Sequence, residues 1–209
     1  FDPVNPPPYY QKAADYAFQG IPSFPKSVVI NPKQWSLTQR SQRHLVIKEV
    51  NPYAISWYTQ FYKPRIIYLI RHPAAVALSY KKLNWWPDMR KDFFSKHGLF
   101  QAEALEAVLN CIKYYEDVII IKYENICKRP HESFRNLFSY TDLIWDDVIY
   151  EMITNHTSGI KNDLHWTTYR DSKTMIQLWK NQLSEKEIKN IKDSYCSITL
   201  PWYQSPEDW

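Results

Sequence analysis

A chain of 209 residues, 44% hydrophobic and 23% charged, suits one domain with a sizeable core. Its net charge of +4 comes from 26 Lys and Arg spread along the chain against 22 Asp and Glu. That balance admits an anionic ligand but lacks the clustered basic footprint of a nucleic-acid binder. No apolar stretch approaches the roughly 20 residues of a membrane-spanning helix, and Cys111, Cys127 and Cys196 are too few and too irregularly spaced for a zinc site or a disulfide framework.

Residues 1–43 are polar and rich in proline and read as irregular cover, with one or two helical turns around Lys12–Phe18. Phe1-Asp2-Pro3 is neither an initiator Met nor a signal peptide, so further chain is expected upstream. Leu45-Val46-Ile47-Lys48 is a short strand candidate. The near-continuous apolar run Ile66–Ile70 is that of a strand buried on both faces, and Val118–Ile121 is another. Between them, Phe100, Ala104, Leu105, Val108, Leu109 and Ile112 follow helical spacing over 100–115. Strand, helix and strand in this order describe a right-handed crossover in a parallel sheet.

Pro130 suits the first position of a helix reaching Tyr140, and a further helix is expected over Trp145–Asn155. Asn155-His156-Thr157 matches a glycosylation acceptor, a triplet that also arises by chance. Ser184-Glu185-Lys186-Glu187 is a capping box opening a helix to about Tyr195. The expected fold class is α/β, a single domain with a central parallel sheet flanked by helices. Nine Trp, sixteen Tyr and nine Phe exceed what such a core needs, which points to an aromatic-lined ligand cavity.

The chemistry concentrates in Arg65–Tyr80. A strand ends at Arg71, Pro73 marks the turn, and the next helix carries Ser79. In open parallel sheets ligands bind beyond the carboxyl ends of the strands. A guanidinium there offers forked donors to a phosphate, and a hydroxyl from the following helix adds one more. The competing reading pairs Arg71 with a carboxylate and lets Ser79 bond back to its own helix.

At these residues the chain resembles the PAPS-dependent sulfotransferases, which transfer a sulfuryl group from 3′-phosphoadenosine 5′-phosphosulfate (PAPS). Their 3′-phosphate motif is an apolar strand, Arg-x-Pro, and a small-residue helix ending in Ser. Here Arg71, Pro73 and Ser79 match, with His72 where Asn or Asp is usual. The resemblance implies that Arg71 and Ser79 bind the 3′-phosphate in a P-loop-like sulfotransferase fold. Val118–Ile126 is similar to the family's strand and Tyr-Glu-Asp-Leu element, which implies Tyr123 near the adenine. Tyr169-Arg170-Asp171-Ser172-Lys173, then Trp179-Lys180, is similar to the C-terminal basic loop and its Trp segment, with Arg170 or Lys173 near the 3′-phosphate.

The family's phosphosulfate-binding loop is not found. Phe24-Pro25-Lys26-Ser27 looks like its start, but Val28-Val29-Ile30 follows where small residues should expose backbone amides. None of Gly20, Gly98 and Gly159 sits in a plausible cradle. The resemblance therefore implies that the strand, loop and helix lie upstream of Phe1. It also implies a cation at Lys48, whereas Val50 stands where many relatives keep a histidine base, leaving Glu49 as the nearest alternative. A structural ion pair is the other reading of Glu49.

The implied reaction moves the sulfuryl group from PAPS, leaving PAP, to a hydroxyl or amine of a small molecule or sugar. Trp85 and Trp86 are candidates to hold that acceptor, and no metal is called for. A non-catalytic nucleotide-binding module and a P-loop nucleotide kinase-like phosphotransferase are the alternatives. A cytoplasmic location and no membrane or nucleic-acid partner are expected, and a homo-oligomer is compatible with the sequence.

Overall fold

The computed structural model describes residues 6–21, 38, 43–85, 92–158 and 171–209. The segment around Lys26, Trp86 and Arg170 lie outside the described residues. The described chain is mostly helical, with one two-stranded parallel sheet. It divides into two compact units, one of Phe1–Pro64 with Asn110–Tyr115 and one of Arg65–Leu109 with Glu116–Trp209. Among the described residues no helix is long and apolar enough to cross a membrane.

In the first unit, α1 (Pro8–Phe18) is a full helix where only a turn or two was expected. Pro8 takes a first-turn position, where its missing N–H costs nothing. After a short 3-10 turn at Pro52–Ala54 comes α2 (Ile55–Phe61). The two helices share aromatic packing: Phe18 lies parallel to Tyr62 at 4.0 Å, and the Tyr62 hydroxyl donates to Asp15 at 2.7 Å. The strand expected at Leu45–Lys48 is absent: 44–50 carries no secondary structure, and Leu45, Val46 and Val50 are exposed. A strand persists only where a neighbour takes its backbone N–H and C=O groups, and no described segment does so here.

In the second unit, β1 (Ile66–Ile70) and β2 (Val118–Lys122) pair in parallel with Ile66 opposite Val118 and Ile70 opposite Lys122. Both are built mainly from β-branched residues, which suit a pleated surface. The parallel pairing requires the long crossover through α3 (Pro73–Leu83) and α4 (Phe93–Ile112) that the sequence announced. The sheet departs from expectation in two ways. It has two strands among the described residues, so it is not a broad central sheet. And β1 is covered on one face only: Ile70 is buried, while Ile67 and Leu69 are 43% and 51% exposed. Ile70, Tyr68 and Ile120 pack on Ala102, Leu105, Tyr195 and Tyr203, and no described element covers Ile67 and Leu69 to the same degree.

Downstream, β2 runs directly into α5 (Tyr123–Lys128), α6 (Pro130–Tyr140) and α7 (Asp147–Thr157), the last capped by Asp146 on the Ile149 N–H. Then come α8 (Ser172–Met175), α9 (Leu178–Gln182) and α10 (Glu185–Tyr195). The capping box is present, since the Ser184 side chain takes the Glu187 N–H and Glu187 takes the Ser184 N–H. Glu187 also receives Lys81 at 2.8 Å, tying the end of α3 to the start of α10. The alanines of α3 (Ala74, Ala75, Ala77) are small enough to pack closely on Trp179, Leu183 and Ile191.

Gly98 sets the separation of α4 and α10. A Cβ at that position would stand 2.5 Å from the Ile191 carbonyl oxygen, a backbone atom with nowhere to go. Gly98→Ala gains about 1 kcal/mol of helix propensity. It should nevertheless lower stability by about 1–3 kcal/mol, because the clash forces the helices apart. Urea unfolding reads this directly, and unchanged or higher stability would show that the two helices part freely.

Candidate functional site

The carboxyl ends of β1 and β2 place Arg71, His72, Tyr123 and Glu124 side by side. The ladder ends with Ile70 opposite Lys122, and the residues immediately after it on the two segments, Arg71 and His72 on one and Tyr123 and Glu124 on the other, remain in contact. The Arg71 guanidinium lies over the Tyr123 ring at 4.4 Å. Such stacking uses the planar, weakly hydrated face of the cation and leaves its edge donors for a ligand. Arg71 Nε is buried and has no hydrogen-bond partner among the described residues. A buried donor without an acceptor is costly, so this one marks where an acceptor belongs.

His72 is the most heavily committed residue nearby, and it is 4% exposed. Its N–H donates to Glu124 Oε1 at 2.9 Å, and its carbonyl accepts from the Ala75 and Val76 amides. Its Nδ1 accepts from the Ala74 N–H at 3.2 Å, capping α3, while Nε2 meets the Asp208 carbonyl at 2.9 Å. An amide can only donate and a carbonyl can only accept, so Nδ1 is bare and Nε2 carries the proton. The ring is therefore neutral. Trp179 lies parallel to it at 4.3 Å and Trp209 meets it edge-on at 4.6 Å. Burial pulls its pKa from 6.5 down to about 4, the Asp208 contact opposes that, and the Lys180 and Lys122 charges add to it.

Glu124 is 9% exposed and uses both oxygens, the second accepting the Tyr203 hydroxyl at 2.7 Å. Burial and this carboxylate push the Tyr203 phenol well up. The Lys122 ammonium lies over the Tyr203 ring at 4.5 Å. Cys127, one turn along α5, is buried; burial pushes its thiol up, opposed by a hydrogen bond with Tyr123 and by the Arg71 charge. The Ser172 hydroxyl donates to the Cys127 carbonyl at 2.9 Å, which seats α8 against α5.

The residues singled out by sequence are distributed unevenly. Arg71 and Tyr123 are in direct contact. Ser79 sits two turns into α3, about 9 Å along the axis from Pro73, and its hydroxyl donates to the Ala75 carbonyl at 3.1 Å. Lys173 is exposed on α8, the helix docked on α5. Trp85 is 65% exposed just past the left-handed Asn84 that ends α3, and it meets Tyr80 edge-on at 5.8 Å. Lys48 and Glu49 belong to the first unit, in the exposed segment 44–50. Glu49 accepts from the Val50 and Asn51 amides and from the Tyr58 hydroxyl at 2.7 Å. Its carboxylate thus anchors that segment to α2, without the Lys partner that an ion pair would need among these bonds.

Sequence reasoning did not single out Glu124, Tyr203 or Trp209. Glu124 stood within the recognised Tyr123-Glu124 pair, and its burial is the signal that sequence could not supply. Among the described residues no group of three His, Cys, Asp or Glu side chains is arranged to hold a metal. Comparisons with protein-family models, with curated proteins and with solved structures return no match.

His72 and His97, the two buried histidines among the described residues of this unit, set a pH dependence. His97, fully buried between Tyr80 and Phe93, is also lowered from 6.5 to about 4 by burial. Both rings stay neutral in the folded state and protonate in the unfolded chain near pH 6.5, so the unfolded state binds more protons between pH 6.5 and 4. Their contribution is complete above about pH 7 and shrinks as pH falls, by about 2 kcal/mol per ring at pH 5. Urea midpoints at pH 7.5, 6 and 5 should decline accordingly. His72→Asn, whose side-chain oxygen can still cap α3, should flatten part of the decline; an equally steep decline would remove His72 as its source.

Proposed function

We propose that the chain belongs to a PAPS-dependent sulfotransferase, in which Arg71 reads the 3′-phosphate of the donor. The observation that carries this reading is the Arg71 guanidinium at a strand's carboxyl end, stacked on Tyr123 with its buried Nε–H unpartnered among the described residues. A phosphate dianion supplies the missing acceptor and the opposite charge at once. The proposed fold is the P-loop-like one that the strand–Arg71-x-Pro73–helix motif and the parallel pairing of β1 with β2 resemble.

Sulfuryl transfer asks a protein for in-line positioning and for stabilisation of charge on the departing phosphate. On this reading Arg71, with Ser79, holds the 3′-phosphate end. For Ser79 to take part, its hydroxyl must turn from Ala75 toward the ligand. Tyr123 offers a ring beside the guanidinium, Lys173 and Arg170 add positive charge, and Trp85 and Trp86 flank the acceptor, a hydroxyl or amine of a small molecule or sugar. No metal is required, because the charge to be neutralised falls on protein cations. Lys48 is assigned the transition-state cation and Glu49 the base by resemblance.

Arg71→Ala should weaken PAP binding by about 2–4 kcal/mol in calorimetric titration. Binding of adenosine 5′-phosphosulfate, which lacks the 3′-phosphate, should hardly change. Equal losses for both ligands would remove Arg71 as the 3′-phosphate reader, and tighter binding of ATP than of PAP would favour a kinase. Lys48→Met should lower kcat at least about tenfold with PAP affinity within about threefold. Glu49→Gln should lower turnover about 100-fold or more if Glu49 is the base. Near-normal turnover with a lower Tm would leave it only the anchoring role that its three hydrogen bonds describe.

A further inference from the structure

The ladder between β1 and β2 ends at Ile70 and Lys122, but contacts between the two chain segments continue past it. Arg71 meets Tyr123, the first residue of α5, by cation–ring stacking at 4.4 Å. The His72 N–H then donates to the Glu124 side chain at 2.9 Å. Glu124 thus replaces the backbone acceptor that the ladder loses when β2 turns into α5. Its other oxygen accepts the Tyr203 hydroxyl at 2.7 Å, a residue 79 positions away. A carboxylate that is 9% exposed, with both oxygens engaged by neutral donors, holds its neighbours firmly, because withdrawing either donor leaves charge buried and under-satisfied.

We infer that Glu124 is a positioning residue for the Arg71 site: held by the Tyr203 hydroxyl, it fixes the His72 peptide that follows Arg71, so that the guanidinium stays stacked on Tyr123 with its Nε–H free for a phosphate. Glu124 touches no ligand in this role. It acts through two neighbours, and Tyr203 acts through Glu124. The inference rests on the reading of Arg71 as a 3′-phosphate site for its ligand, but the positioning itself has a readout without one.

Glu124→Gln keeps the shape and an acceptor for the His72 N–H but meets the Tyr203 hydroxyl with an amide in place of a carboxylate. Two measurements on the whole chain test it. In calorimetry the variant should lose about fivefold or more in PAP affinity while adenosine 5′-phosphosulfate stays within about twofold. In nitrogen-edited NMR of the ligand-free protein the Arg71 Nε–H signal should shift and exchange faster with water than in the unaltered chain. Tyr203→Phe, which spares the carboxylate, should move both readouts the same way by a smaller amount, and it carries the test if Glu124→Gln fails to fold. Equal loss of both ligands, or a lower Tm with an unmoved Arg71 signal, overturns the positioning role. If the unaltered protein binds no PAP, the 3′-phosphate reading falls and the Arg71 signal alone decides the positioning.

Discussion

The ring and peptide of His72 have no spare polar atom, and whatever meets at the carboxyl end of β1 is tied to them. The N–H goes to Glu124 on α5, the carbonyl and Nδ1 to the first turn of α3, and Nε2–H to the Asp208 carbonyl. Acceptance at Nδ1 requires that nitrogen to be bare, and with Nε2–H donating the ring is the neutral form with its proton on Nε2. A protonated ring would lose the α3 cap and add a third positive charge to those of Lys122 and Lys180, both of which already act against it. Burial among Trp179, Tyr203 and Trp209 keeps the ring neutral through the ordinary pH range.

This arrangement has a consequence for Arg71. The Ala74, Ala75 and Val76 amides at the start of α3 are spent on His72 itself. The helix terminus is therefore already capped by His72. Within β1, Ile67 and Leu69 lie on the open face, whereas Ile70 faces the helices. Arg71, the next residue, is half-buried, stacked on Tyr123 with its Nε buried.

Local signals in the sequence were legible and long-range ones were not. The strand, Pro73 and helix after Arg71, the Pro130 helix and the Ser184 capping box depend on residues a few positions apart, and each is present. His72 looked like a departure because Asn or Asp is usual there. Its Nδ1 performs the same capping, while its far nitrogen reaches Asp208, 136 positions along, which no local pattern announces. Leu45–Lys48 has strand composition but no partner among the described residues, and pairing is decided by distant chain. An apolar run also cannot distinguish a strand covered on one face from one covered on two, which is why Ile67 and Leu69 were expected inside. Glu49 shows the reverse: a residue read for its chemistry is engaged by two backbone amides and the Tyr58 hydroxyl.

The neutral, Nε2-protonated imidazole of His72 can be observed directly. Two-dimensional NMR correlating ring carbon-bound protons with both ring nitrogens distinguishes the two tautomers and the imidazolium. At pH 6, where a free histidine is substantially protonated, His72 should show a pyridine-like Nδ1 and a pyrrole-like Nε2. An imidazolium pattern, or the proton on Nδ1, would contradict the capping of α3 by this ring and with it the account of how the end of β1 is held.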